Sequence, residues 1–224
     1  MPEDKKEIKH ISIIADGNCR WAKERNLPVT EGYKKALENI FSIPKYFFEK
    51  GVEIVSIFIF PQTNWQREQS EINDLMKLVD VCFKNEIENL KEKGWRILIS
   101  GQISELPGDL EETCHEIMNK TKLSTKGILN LYINYDGRQE LLNVMKKIAS
   151  NNIDAEQVHE GLVRKYLYHG GLSDPELVIV SGGEKKLLGF QLWQTVNSEI
   201  LFMNKYWPDF EEVDVKKIVE SYKV

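Results

Sequence analysis

The stretch Val52–Pro61, VEIVSIFIFP, is apolar at nearly every position and closes on a proline. A near-continuous run of this kind marks a strand covered on both faces, as in a parallel sheet, and not a half-exposed antiparallel one. Upstream, Ile11, Ile13 and Ile14 form a short β-branched run that stops at Ala15-Asp16-Gly17-Asn18 and passes into a polar, helix-like stretch. Downstream, strands are predicted at 95–100, 128–134 and 177–180. The segments between them have helical spacing. Thr30, with Glu31 in the first turn, starts a helix carrying Leu37, Ile40, Phe41, Tyr46 and Phe47, kinked at Pro44. Residues 71–93 repeat apolar positions from Ile72 to Leu90 and end at Gly94, and further helices are predicted near 108–122, 138–150 and 155–167. The βα alternation predicts one α/β domain over 1–224, with a mostly parallel central sheet and helices on both faces. In such a fold ligands bind beyond the carboxyl ends of the strands.

Bulk composition narrows the function. At 224 residues and 42% hydrophobic, the chain suffices for one sizeable core. Its 30 basic and 35 acidic residues give a formal charge of −5, so no cationic excess is available for a nucleic-acid backbone. The three cysteines are an odd number at wide spacing without a CxxC pair, which speaks against a disulfide framework and a structural zinc site and fits a reducing cytoplasm. No apolar run is long enough to cross a bilayer, so the expectation is a soluble protein, at most peripheral to a membrane.

Four polar loops follow predicted strands. Asp16-Gly17-Asn18-Cys19-Arg20-Trp21 precedes a helix, where free backbone N–H groups and the helix dipole favour an anion. On the spacing alone, Asp16 capping an ordinary turn is the better account. A carboxylate in an anion cradle becomes reasonable as a Mg²⁺ ligand that brings the metal to a diphosphate, with Arg20 neutralising the leaving group. In Thr63-Asn64-Trp65-Gln66-Arg67, Asn64 suits orienting a group and Arg67 suits binding phosphate; plain surface polarity weighs the same. Asn134-Tyr135-Asp136-Gly137-Arg138 adds a third strand-end arginine. Ser181-Gly182-Gly183-Glu184-Lys185-Lys186 resembles a glycine-rich phosphate loop without the spacing of a nucleotide motif.

Together, HISIIADGNCRWAK, VSIFIFPQTNWQRE, INYDGRQEL and DPELVIVSGGEKKLLGFQLWQTVNSEILFMNKYWPDF resemble, in order and over nearly the whole chain, the signatures of the cis-prenyltransferase family, which includes undecaprenyl and dehydrodolichyl diphosphate synthases. The resemblance implies an apolar tunnel between sheet and helices for the growing prenyl chain. It also implies a homodimer or a heterodimer with a related subunit, an allylic prenyl diphosphate donor, and an isoprenoid or alcohol acceptor. Asp16 matches the Mg²⁺-binding aspartate, and Gly17, Asn18, Cys19, Arg20 and Trp21 fall on the donor-diphosphate loop. Asn64, Trp65 and Arg67 match positions that arrange the reacting groups. Arg138, Gly183 and Glu184 match later signatures, Lys186 falls on a substrate-binding position of the last one, and Glu199 resembles a carboxylate that assists the metal near the acceptor.

The departures carry information too. Cys19 stands where the family has glycine, Val29 and Tyr33 replace an arginine and a histidine that flank the donor diphosphate, and Thr63 replaces a glutamate. On the acceptor side, Val180, Lys186 and Leu188 replace two arginines and a serine. Charged hydrogen bonds are worth roughly 1.5–3 kcal/mol each, so losing about two of them weakens acceptor binding by about two to four powers of ten. Lysine keeps charge without a bidentate fork. The expectation is a relaxed acceptor site that takes isopentenyl diphosphate less tightly, dimethylallyl diphosphate, or an alcohol, with Phe41, Phe47, Phe48 and Phe83 capping a short tunnel. The sequence closes on SYKV without the family's arginine-x-glycine segment, so the enzyme either does without it or takes it from a partner. Two rivals remain at this stage: a non-catalytic partner subunit of a heteromeric prenyltransferase, and a nucleotide-binding α/β protein using SGGEKK.

Overall fold

A computed structural model describes residues 7–222. Its strands are β1 (His10–Ile14), β2 (Ile54–Pro61), β3 (Trp95–Ser100), β4 (Gly127–Tyr135), β5 (Leu177–Val180) and β6 (Glu199–Phe202). The helices are α1 (Asn18–Glu24), α2 (Val29–Ser42), α3 (Pro44–Glu49), α4 (Gln69–Lys93), α5 (Leu110–Thr121), α6 (Gly137–Ser150), α7 (Glu160–Tyr166) and α8 (Glu212–Tyr222). The strands form one sheet in the order β3-β4-β2-β1-β5-β6, and every pairing is parallel. The α/β reading therefore holds. Two elements escaped the periodicity, β6 and α8, while the helix read at 155–167 contracts to α7 behind a 3₁₀ turn at Ala155–Gln157.

Alternation along each strand divides the core in two. Ile11 and Ile13 of β1 and Val55 and Ile57 of β2 face the larger cluster, into which α2, α3, α4, α5 and α8 deliver Leu37, Phe47, Phe83, Cys114 and Val215. Ile14 and Phe58 point the other way, toward Tyr132, Tyr135 and Phe190, with Tyr168 and Leu187 against them. Helices and loops thus cover both faces, as an all-parallel sheet requires. Proline at position 44 lacks the N–H that would continue α2, so it opens α3 at its first turn while Ile43 keeps helical angles (φ −64°, ψ −40°). The kink turns Phe47 into the core at 0% exposure. The residues expected along a tunnel pack together here, Phe41 edge-on to Phe83 at 5.8 Å between ring centres.

The second face is polar at its centre. His10 is 2% exposed; its Nδ1 lies 2.6 Å from the Ser173 carbonyl and its Nε2 2.8 Å from Ser56 Oγ. Burial disfavours the charged ring and lowers its pKa from 6.5 to about 4, against smaller opposing contributions from Ser173, Glu176 and Asp174. Between these two values the unfolded chain binds a proton that the folded chain refuses, so stability rises with pH through that window. The contribution is present above pH ~6.5 and is lost as the pH falls toward 4, by about 3 kcal/mol in all. Urea titrations at pH 7.5, 5.5 and 4.5 are expected to show a midpoint that falls with acid, and His10→Asn is expected to flatten that fall.

Candidate active site

The carboxyl ends of β1 and β2 meet in an open cleft of about 400 Å³, whose wall includes Asp16, Asn18, Arg20, Tyr33, Asn64 and Arg67, with Leu188 added from the segment after β5. At its mouth the chain leaves β1 and turns sharply. Gly17 adopts φ 97°, which only glycine takes without strain, and its N–H donates to Asp16 Oδ1 at 2.6 Å. Asp16 Oδ2 accepts from Arg20 Nη2 at 3.0 Å, one helical turn on, and Arg20 Nη1 lies 3.8 Å from Glu184.

Backbone hydrogen bonds fix this corner from behind. The Asp16 N–H donates to Ser181 Oγ at 2.9 Å, and that hydroxyl donates in turn to the Ile14 carbonyl. Gly182 N–H donates to the Lys205 carbonyl, Gly183 N–H to the Met203 carbonyl, and Trp207 N–H to the Asp16 carbonyl, at 2.8, 2.9 and 3.0 Å. Three segments remote in sequence are thereby tied beside one carboxylate. From the other side, Gly32 of α2 lies so close that a Cβ there would sit 2.2 Å from the Asn18 carbonyl oxygen.

Opposite Asp16, Arg67 Nη1 donates to Glu71 Oε1 at 2.7 Å, to Cys19 Sγ at 3.1 Å and to the Tyr33 hydroxyl. Tyr33 donates its own proton to Glu71 Oε1 at 2.6 Å. Burial, together with hydrogen bonds to Cys19 and Glu71, raises the Tyr33 pKa, so the phenol stays protonated. For Glu71 burial pushes upward, but the hydrogen bonds from Tyr33 and Arg67 prevail and hold the carboxyl below its ordinary range. The two residues that depart most from the family pattern in this region, Cys19 and Tyr33, thus close a network around Arg67. The Arg67/Glu71 pair is readable in advance as an i, i+4 ion pair; the phenol between them has no signal in sequence.

Of the residues singled out from sequence, Asp16, Gly17, Asn18, Cys19, Arg20, Asn64 and Arg67 line the cleft. Glu184 stands at its rim beside Arg20. Trp21 turns away and donates to Asp209 at 2.6 Å, and Trp65 donates to Asn134 at 2.7 Å, bracing the loop from outside. Arg138 is exposed in the first turn of α6, and Gly183 and Lys186 are exposed on the loop after β5. Glu199 is not brought to Asp16 within the chain: it opens β6 opposite Leu177, three residues or ~10 Å below the carboxyl edge where Phe202 meets Val180.

The donor set suits a hard cation. Asp16 offers half-exposed carboxylate oxygens, and Asn18 Oδ1, two residues on, is buried with no hydrogen-bond partner. Among the described residues no group of three or more His, Cys, Asp or Glu side chains is placed to enclose a metal. A cation here would take one or two protein oxygens and complete its shell from phosphates and water, the habit of Mg²⁺. The floor beyond is apolar, made by Ile14, Phe58, Ile59 and Leu188. The three cysteines are all free, and among the described residues no helix is long and apolar enough to cross a membrane.

Comparison with known proteins agrees with this geometry. Residues 14–224 match a family model described as putative undecaprenyl diphosphate synthase. An isoprenyl transferase of Clostridium perfringens is 38% identical, the match covering 99% of this chain and 92% of that protein. A Micrococcus luteus ditrans,polycis-undecaprenyl-diphosphate synthase, specific for (2E,6E)-farnesyl diphosphate, is 33% identical over 96% of this chain and 88% of its own. Among solved structures, lavandulyl diphosphate synthase from Lavandula x intermedia, in complex with dimethylallyl diphosphate, superposes with a TM-score of 0.92 at 25% identity, covering 96% of this chain and 95% of that one.

Gly182 supplies a local test of the corner. It holds φ 84°, and a Cβ there would lie 2.9 Å from the Asp16 carbonyl carbon. Gly182→Ala is expected to cost about 1–3 kcal/mol in chemical denaturation and to weaken diphosphate binding through displacement of Asp16.

Proposed function

The chain belongs to the undecaprenyl diphosphate synthase family of cis-prenyltransferases, and from that membership we propose a Mg²⁺-dependent enzyme that transfers a short allylic prenyl group from its diphosphate to a small isoprenoid acceptor. The observation that carries this reading is the convergence of Asp16, Arg20 and Arg67 on one cleft whose floor is apolar. The charged rim suits a diphosphate and the floor suits a prenyl tail.

Asp16 and the uncommitted oxygen of Asn18 would hold Mg²⁺, which when bound neutralises charge on the donor diphosphate. Arg20 and Arg67 flank the same group and take up the negative charge that develops as the allylic C–O bond breaks and the diphosphate departs with the electron pair. The allylic cation left behind is attacked by the acceptor, by its double bond to form a C–C bond or by its hydroxyl to form a C–O bond. A proton is then lost to a diphosphate oxygen or a nearby polar group. Asn64, on the cleft wall between the two strand-end loops, is suited to orient the reacting groups.

The acceptor side favours something other than tight capture of isopentenyl diphosphate. Leu188 lines the cleft, Val180 is fully buried in β5, and Lys186 is exposed. Dimethylallyl diphosphate or an alcohol fits that apolar wall, and the likeness to lavandulyl diphosphate synthase supports the former. The close packing of Phe41 on Phe83 between α2 and α4 supports short products. A dimer is supported by β6, an edge strand whose Ile200 and Phe202 are 41% and 40% exposed beside Val196 at 76%, a surface that isolated edges do not ordinarily leave uncovered. Glu199 is exposed at the start of the same edge strand, which supports a role toward a second chain.

Incubation with dimethylallyl, geranyl or farnesyl diphosphate, Mg²⁺ and a panel of acceptors, followed by mass analysis, tests the reading. Transfer is expected with short products, and Asp16→Ala is expected to lower kcat by about 10²–10³-fold. Activity indifferent to Asp16, or seen only with a second catalytic chain, would instead identify a non-catalytic subunit. In the same assay Phe41→Ala and Phe83→Ala are expected to lengthen the product; an unchanged length would remove these rings as its limit.

A further inference from the structure

The geometry points to Tyr206 as a positioning residue that aims Arg20 at the diphosphate, an inference that rests on the function proposed above. Arg20 needs such support. Its two carboxylate partners, Asp16 and Glu184, are, like Arg20 itself, about two-fifths exposed, and ion pairs so open to water fix direction weakly. Asp16 would moreover share its carboxylate with a cation held in the cleft, which would weaken its hold on Arg20.

Tyr206 lies along one face of α1 and the turn before it. Its ring rests on Gly17, where a Cβ would come within 2.4 Å of Cδ1, and the Arg20 guanidinium sits over the ring at 5.6 Å from its centre. Its hydroxyl donates to Glu24, one turn further. Residues 17, 20 and 24 share a face at helical spacing, so one side chain meets all three. The ring is held from its own side too, because the Lys205 carbonyl and the Trp207 N–H on either side of it bond to Gly182 and Asp16. A cation–π contact engages the charge of the guanidinium and none of its N–H groups, so it holds Arg20 without consuming a donor that the diphosphate requires. The glycine at position 17 serves the same end, since any side chain there would lift the ring away from Arg20.

The test compares wild type, Tyr206→Phe and Tyr206→Leu, each alone and combined with Arg20→Gln, in two readouts: the Kd for inorganic diphosphate with Mg²⁺ by calorimetry, and donor KM and kcat. Tyr206→Leu is expected to raise both Kd and KM by about twofold to fivefold, the size of an exposed cation–π contact, and to lower kcat as well, since Arg20 also takes up charge as the C–O bond breaks. Tyr206→Phe keeps the ring and is expected to match wild type, and Leu is expected to add nothing in the Arg20→Gln background. A folded Tyr206→Leu protein with unchanged Kd and KM overturns the proposal. So does a Phe variant as weak as Leu, which would assign the effect to the bond with Glu24, or a full Leu effect without Arg20. Should Leu fail to fold, Tyr206→Met takes its place. If wild type binds diphosphate but transfers no prenyl group, the proposed function falls while the Kd comparison still decides for Tyr206; if it binds none, both fall.

Discussion

A carboxylate and a diphosphate repel one another, and the cleft sets the first where the second is proposed to bind. At 4 Å and the screening typical of a protein surface, each pair of like charges costs about 4 kcal/mol. The rest of the site can be understood as a response to that cost. Asp16 is fixed at the end of β1 by its backbone, its carboxylate accepts from the Gly17 N–H and from Arg20, and arginines from two separate loops face the same space. A divalent cation between Asp16 and the diphosphate changes the repulsion into two attractions.

A parallel sheet is what allows residues so distant in sequence to cooperate. Every strand ends on the same side, so the loops after β1, β2 and β5 arrive together, and the segment after β6 closes over them through Met203, Lys205 and Trp207. The corner is built on close approaches, of Gly17 to the Tyr206 ring and of Gly32 and Gly182 to the backbone at Asn18 and Asp16, where a single Cβ would force the segments apart. The buried polar face of His10 and Ser12 on β1 and Ser56 on β2 ties these strands together, and Ser12 donates to Gln191 of the segment between β5 and β6 at 2.5 Å.

Sequence reasoning reached the fold through residues whose environment is local. The run from Val52 to Pro61 is apolar because both its faces are covered, and Gly94 ends α4 in a left-handed conformation at φ 74° because glycine tolerates it. β6 was missed because four residues, three of them exposed or nearly so, carry no periodicity, and its place is fixed by pairing with β5. Helix α8 buries Val215, Ile218 and Val219 on one face, a pattern present in sequence but overshadowed by the signature before it. At the site, Asp16, Arg20 and Arg67 were legible because strand-end loops converge by rule. Tyr33, Ser181 and Tyr206 were not legible as partners of those residues, since each acts through a contact made 14 or more positions away. Arg138, a strand-end arginine by the same rule, stands exposed in the first turn of α6, apart from the residues that line the cleft.

The central claim is that a divalent ion bridges Asp16 and the donor diphosphate. Crystals grown with Mn²⁺ in place of Mg²⁺ and an unreactive prenyl thiodiphosphate test it directly by anomalous scattering. The account predicts a single peak at about 2.1–2.2 Å from both an Asp16 oxygen and a diphosphate oxygen, with Arg20 and Arg67 on the remaining oxygens. A diphosphate seated in this cleft without metal at Asp16, or one bound elsewhere on the protein, would contradict it.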